Sequence, residues 1–257
     1  MTPAVLAIVL FAGLAVGMTG IGGLLVVPAL TALAGMPVAR AVPATTLAFL
    51  FTGIAATLHL QWRRRASGGV GAVASGSPDG QGLVALQASA LIGAGAGAMT
   101  LTLLPSVGVQ LALALLSLLS GLQTLAGRVP PDDASRHLSV AAQVGIGFAV
   151  GIGSAWSGTG GPILLLPILM WLAMPTRSAI AMAQAVQLPI ALSATAVNLW
   201  AGQLDIALGI TLGALLIVGW AAGVWVATRM HTARLRQALG WLLIGIGLWY
   251  GLHNLQS

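Results

Sequence analysis

The chain has 257 residues, 58% of them hydrophobic and only 5% charged, with a formal net charge of +6. A soluble domain carries roughly 25% charged residues, so this composition excludes a water-covered globule and points to an all-α polytopic membrane protein. It has no cysteine, which removes disulfides and thiolate metal sites; the sparse positive charge is no nucleic-acid footprint, and no pattern in the chain asks for a cofactor.

Ten apolar segments follow one another, near 3–17, 24–35, 40–60, 82–103, 107–127, 138–155, 162–173, 178–200, 205–228 and 236–255. The first, second and seventh are shorter than the roughly 20 residues of a full span. No charge precedes Arg40, so the opening stretch lacks a signal peptide's basic region, and Thr2–Val16 reads as part of the fold. The first segment runs into Gly17-Met18-Thr19-Gly20-Ile21-Gly22-Gly23, then Leu24-Leu25-Val26-Val27-Pro28. Each glycine costs up to about 1 kcal/mol inside a helix, so the run predicts a break between two helices. Within a bilayer a break is tolerated only against protein or a water-filled cavity.

The third segment opens near Arg40, carries Pro43, Thr45 and Thr46, and closes on His59, Trp62 and Arg63-Arg64-Arg65. Ala66–Gly82 is rich in Gly and Ser and predicts a flexible loop. Beyond the fourth and fifth segments and a polar loop with Asp132 and Asp133, the sixth runs into Gly153-Ser154-Ala155-Trp156-Ser157-Gly158-Thr159-Gly160-Gly161-Pro162, a second break, followed by Ile163-Leu164-Leu165-Leu166-Pro167. Arg177 heads the eighth segment, which holds Gln184, Gln187, Pro189 and Asn198. Asp205, at the mouth of the ninth, reads as a helix N-cap.

The segments repeat. Gly22-Gly23 recurs 138 positions later as Gly160-Gly161, and the same shift relates Pro37 to Pro175, Ala41 to Ala179 and Trp62 to Trp200. After the Ala66–Gly82 insertion the shift falls to 126, relating Gly93 and Gly97 to Gly219 and Gly223, and Gly121 to Gly247. The chain thus divides into repeats at 1–127 and 128–257 within one membrane domain. Five segments per half make the halves opposite in orientation, an inverted repeat of the kind found in secondary transporters, with broken or re-entrant helices at both glycine runs. Alternating segments put nine of the ten arginines on one side and only Arg40 on the other. The arginine-rich side is cytoplasmic, and both termini face out.

The pattern Gly-x-Gly-Gly, four apolar residues and Pro, then Gly35-Met36-Pro37 and Ala41-Val42-Pro43-Ala44-Thr45-Thr46, resembles the TauE/SafE sulfite exporter family. The second copy, Gly158-Thr159-Gly160-Gly161-Pro162 through Pro167, then Met174-Pro175 and Ala179-Ile180, resembles it too. The first copy is one glycine short of the family's run, and Pro162 replaces the third glycine of the second. The resemblance implies a transporter, not an enzyme, that exports sulfite or an organosulfonate through the inner, cytoplasmic membrane. Its partners are then that anion, the bilayer and, as an option, a second copy in a homodimer.

Helices starting at the breaks offer free N–H groups and the positive ends of their dipoles, and glycine lets an anion approach that backbone. The expected substrate site is therefore Thr19, Gly20, Gly22 and Gly23 facing Trp156, Ser157, Gly158, Thr159, Gly160 and Gly161, with hydroxyl and indole donors. The competing reading gives the glycines only close helix packing. Thr45, Thr46, Gln184 and Gln187 are further candidate donors, against plain interhelical hydrogen bonding. Arg40 and Arg177 are candidate mouths of the pathway, against snorkelling at helix ends. No Glu exists and the pathway segments hold no Asp or Lys, which predicts anion export driven by the membrane potential, with His59 as the alternative proton carrier. An anion channel, and an assembly subunit without its own pathway, are the alternatives.

Overall fold

The computed structural model describes residues 2–20, 22–66, 80–103, 138–172, 174 and 176–229, with scattered positions between 108 and 126 and between 237 and 252. Helix α1, Pro3–Thr19, begins on a proline that needs no N–H partner and ends on Gly20, whose φ of 79° closes the helix as its N–H reaches Val16 O at 2.7 Å. The short helix α2, Gly23–Leu33, starts as a 3-10 turn and widens to π geometry over Ala29–Leu33. Pro28 lies at that change, and its missing N–H removes one rung of the ladder.

Helix α3, Val38–Ala66, is the longest at 29 residues, and α4 spans Gly80–Thr100. Both intrude on the loop expected over Ala66–Gly82: Ala66 and Gly80 to Gly82 are helical, and 67–79 lie outside the described residues. Helix α5, Val140–Ser157, is capped by the Ser139 hydroxyl, which accepts from Ala142 N–H at 3.2 Å, and ends on Gly158 with φ 64°. Helices α6, Pro162–Trp171, α7, Thr176–Trp200, and α8, Ile206–Ala227, complete the order. No strand occurs among the described residues. Five helices, α3, α4, α5, α7 and α8, are long and apolar enough to cross a membrane, while α1 and α2 are shorter. About half of the fifth and tenth segments lies outside the described residues.

Two apolar cores hold the bundle. One joins α4, α5, α6 and α7, the other α1, α3 and α8 with part of α2. In each, two helices meet through glycine. Gly93 and Gly97 of α4 lie on the Phe148 and Ile152 backbone of α5, and Gly147 and Gly151 of α5 on Leu86 and Ala90 of α4. Likewise Gly219 and Gly223 of α8 lie on Leu10 and Leu14 of α1, and Gly13 of α1 on Leu216 of α8. A methyl at any of these would strike backbone of the partner helix. In lipid, where apolar surface gains little from leaving its surroundings, such close approach is what draws helices together. Helix α3 crosses between the cores, packing on both α7 and α8.

Candidate functional site

The two glycine breaks come together beside α3. A Cβ at Gly23 would lie 2.6 Å from Thr159 O, and one at Gly20 3.7 Å from Cβ of Pro162 and 3.3 Å from Cγ of Gln184. The second break is held open by three left-handed glycines, Gly158 at φ 64°, Gly160 at 78° and Gly161 at 105°. In α6 the helical ladder starts with Leu164 and Leu165 N–H to Gly161 O, both 3.1 Å. The Gly161 and Ile163 N–H groups precede that ladder, and Pro162 has none to lose. Ser157 and Thr159 hydroxyls bond each other at 2.8 Å, both buried.

Between the breaks stands Phe49 of α3, 1% exposed. Its ring would meet a Cβ at Gly23 at 2.7 Å and one at Gly160 at 3.1 Å. The expected anion position is thus closed by an aromatic ring in this conformation. Nothing in the sequence marks Phe49, since a phenylalanine in an apolar helix reads as an ordinary core residue. Ser154 was also missed. Its hydroxyl is buried, has no hydrogen-bond partner, and lies 3.7 Å from the Cβ position of Gly161. A buried donor left unpaired costs about 1–3 kcal/mol.

The remaining expected donors divide. Thr45 and Thr46 hydroxyls bond their own helix, at Val42 O (2.8 Å) and Pro43 O (2.7 Å), and Thr45 abuts Gly158. Trp156 Nε1 donates to the Thr100 hydroxyl at 3.0 Å, tying α5 to the end of α4. Gln187 Nε2 donates to Thr52 Oγ1 at 2.6 Å and to Phe49 O at 3.3 Å, so it braces α7 on α3 and holds the Phe49 backbone. Gln184 differs. It lines a cavity of about 580 Å³ between α3, α4 and α7, with Thr57, Gln61 and Gln87 as its other polar lining. Pro189 in α7 has no N–H for the carbonyl of Ala185, and Gln87 Nε2 supplies that bond at 3.0 Å. From the cavity Gln184 reaches Gly20, which connects it to the first break. The side chains of Thr19 and Arg177 lie outside the described residues.

Arg40 is paired. Its Nη2 donates to Asp205 Oδ2 at 2.7 Å, while Asp205 Oδ1 accepts the Leu208 N–H at 3.1 Å as the N-cap of α8. The Leu208 bond first, then Arg40, holds the Asp205 carboxyl below its ordinary 3.8. The pair joins the starts of α3 and α8 on one face of the bundle, where segment alternation puts both.

A family model described as Sulfite exporter TauE/SafE matches residues 65–250. No curated protein and no solved structure matches the chain significantly.

Proposed function

The chain belongs to the sulfite exporter TauE/SafE family, and from that membership we propose that it carries sulfite or an organosulfonate outward across the cytoplasmic membrane, holding the anion at the two glycine breaks. That it is a multi-pass membrane transporter follows from the family and from five helices able to span a bilayer. One observation carries the site reading: two glycine breaks, 138 positions apart, meet with an unpartnered buried hydroxyl, Ser154, at the second.

In this reading the anion enters through the cavity lined by Gln184 and Gln87 and passes to Gly20. It displaces Phe49 and is held by Gly22, Gly23, Gly160 and Gly161 backbone with Ser154, Ser157 and Thr159 hydroxyls. Neutral donors bind an anion without trapping it, as a group of fixed charge would. Repeats at 1–127 and 128–257, in opposite orientation with both termini outside, are part of the proposal. What supports them is the paired contact set. Gly93 on Phe148 and Gly219 on Leu10 are the same contact under the shifts of 126 and 138, and Gln187 bonds Phe49, its own counterpart. Positions 114 and 118 against Gly247, and 240 and 244 against Gly121, repeat the exchange.

Flux of labelled sulfite into and out of liposomes at clamped potential tests the function. Uptake that follows potential without a pH gradient supports uncoupled anion export; the absence of any anion flux from well-folded protein favours the assembly-subunit alternative.

A further inference from the structure

The cavity has a counterpart that is not open. Four residues lining it are Leu83 and Gln87 of α4 and Ala185 and Pro189 of α7. The repeat shifts carry these to Gly209 and Gly213 of α8 and Leu47 and Phe51 of α3. There the large and small partners are exchanged and the space is filled. A Cβ at Gly209 would lie 2.6 Å from Cδ2 of Leu47, and one at Gly213 would run into the Phe51 ring. The bundle is open between α3, α4 and α7 and filled at the corresponding α3–α8 contact.

Thr46, which adjoins Leu47, is the partner of Asn198, and α7 carries buried polar groups without partners here. Thr195 is 7% exposed and its hydroxyl has no partner; Asn198, one turn on, is 1% exposed with Oδ1 unpaired and Nδ2 on Thr46 Oγ1 at 3.3 Å. The shift of 138 takes Thr195 to Thr57 and Thr46 to Gln184, and both of these line the open cavity. Unpaired buried polar atoms are costly, and two on one helix face make sense if another conformation wets them. Inverted halves exchange their conformations when such a transporter turns over.

We propose that Thr195 and Asn198 form the outer station of the oxyanion's route, sealed in this structure by Leu47 and Phe51 on Gly209 and Gly213. The hydroxyl and the amide are neutral donors suited to an oxyanion, and opening the α3–α8 contact exposes them at the Arg40–Asp205 face. This rests on the transport reading above.

The chain has no cysteine of its own, so the test needs no background changes. In Leu47→Cys/Gly209→Cys the two Cβ atoms sit 3.0 Å apart, within about 0.5 Å of disulfide range. Copper-phenanthroline oxidation is expected to cut sulfite flux in liposomes at least tenfold, and dithiothreitol to restore it; undiminished flux in fully crosslinked protein overturns the gate. The second arm needs no substrate. Thr195→Cys is expected to react with a membrane-impermeant maleimide at least tenfold faster, from the Arg40 face, when Phe51→Ala is added. An unchanged rate overturns the proposal. A protein without any flux defeats the transport reading, and the labelling arm still decides the gate.

Discussion

The two glycine breaks read alike in sequence and are built differently. In the first, Gly20 alone among the described residues has a left-handed φ, 79°. Gly22 is extended at −162°, a conformation open to any residue, and is needed because a Cβ would strike the Ala12 carbonyl and Val16 N in α1. Gly23 is needed because a Cβ would strike Thr159 O and Phe49. In the second, Gly158, Gly160 and Gly161 all sit at positive φ. One break uses glycine mainly for space, the other for backbone shape. A repeated motif therefore does not imply a repeated reason, and substitutions should separate the two.

The largest effect is expected where either reason is violated outright. Gly23→Val and Gly161→Val should each lower anion flux at least about 100-fold, because a branched side chain is strained at a left-handed φ and cannot fit against Phe49 and a carbonyl. Flux is compared with the fraction of folded protein recovered by size exclusion. Full flux in folded Gly161→Val would return the glycines to a packing role alone.

A finer test compares Gly20 with Gly22. Asn tolerates the left-handed region better than Ala, and the neighbour at Gly20 is the movable end of Gln184. Gly20→Asn should therefore melt above Gly20→Ala. At Gly22 both substitutions meet rigid backbone and should lose about 1–3 kcal/mol alike. Equal losses at Gly20 would mean that space, not shape, governs both breaks.

Most of this fold was legible because its signals are local. Glycine runs break helices, and apolar length marks spans, so both breaks and the five long helices could be read directly. The positions that pack between and around the breaks were not. Phe49 is apolar in an apolar helix, and only its place between Gly23 and Gly160 gives it meaning. The Arg40–Asp205 pair joins residues 165 apart, and a lone Asp before a helix signals no more than a cap. Gln187 shows the limit of composition: its donors were visible, but that they are spent on Phe49 O and Thr52 depends on how α3 meets α7. Gln187→Leu should accordingly loosen that contact by about 1 kcal/mol, read as a lower melting temperature, and should free the backbone behind Phe49.

The smallest effect belongs to the face where α3 and α8 begin. Asp205 both caps α8 and pairs with Arg40. Its carboxyl titrates below the ordinary value, so the stabilisation is complete above about pH 5 and is lost as the pH falls through the folded pKa. Arg40 is 62% exposed, and an exposed pair contributes only about 0–1 kcal/mol after solvent screening, whereas losing an N-cap costs about 0.5–2 kcal/mol. Asp205→Ala should thus melt lower than Asp205→Asn, because Asn still caps. Arg40→Gln should match Asp205→Asn, since both remove only the ion pair. The acid-induced decline of the melting temperature should flatten in Asp205→Asn. If Arg40→Gln instead leaves stability untouched and cuts flux severalfold, Arg40 acts on the passing anion as a pathway mouth, and its bond to Asp205 is the resting place of a residue whose work is electrostatic attraction.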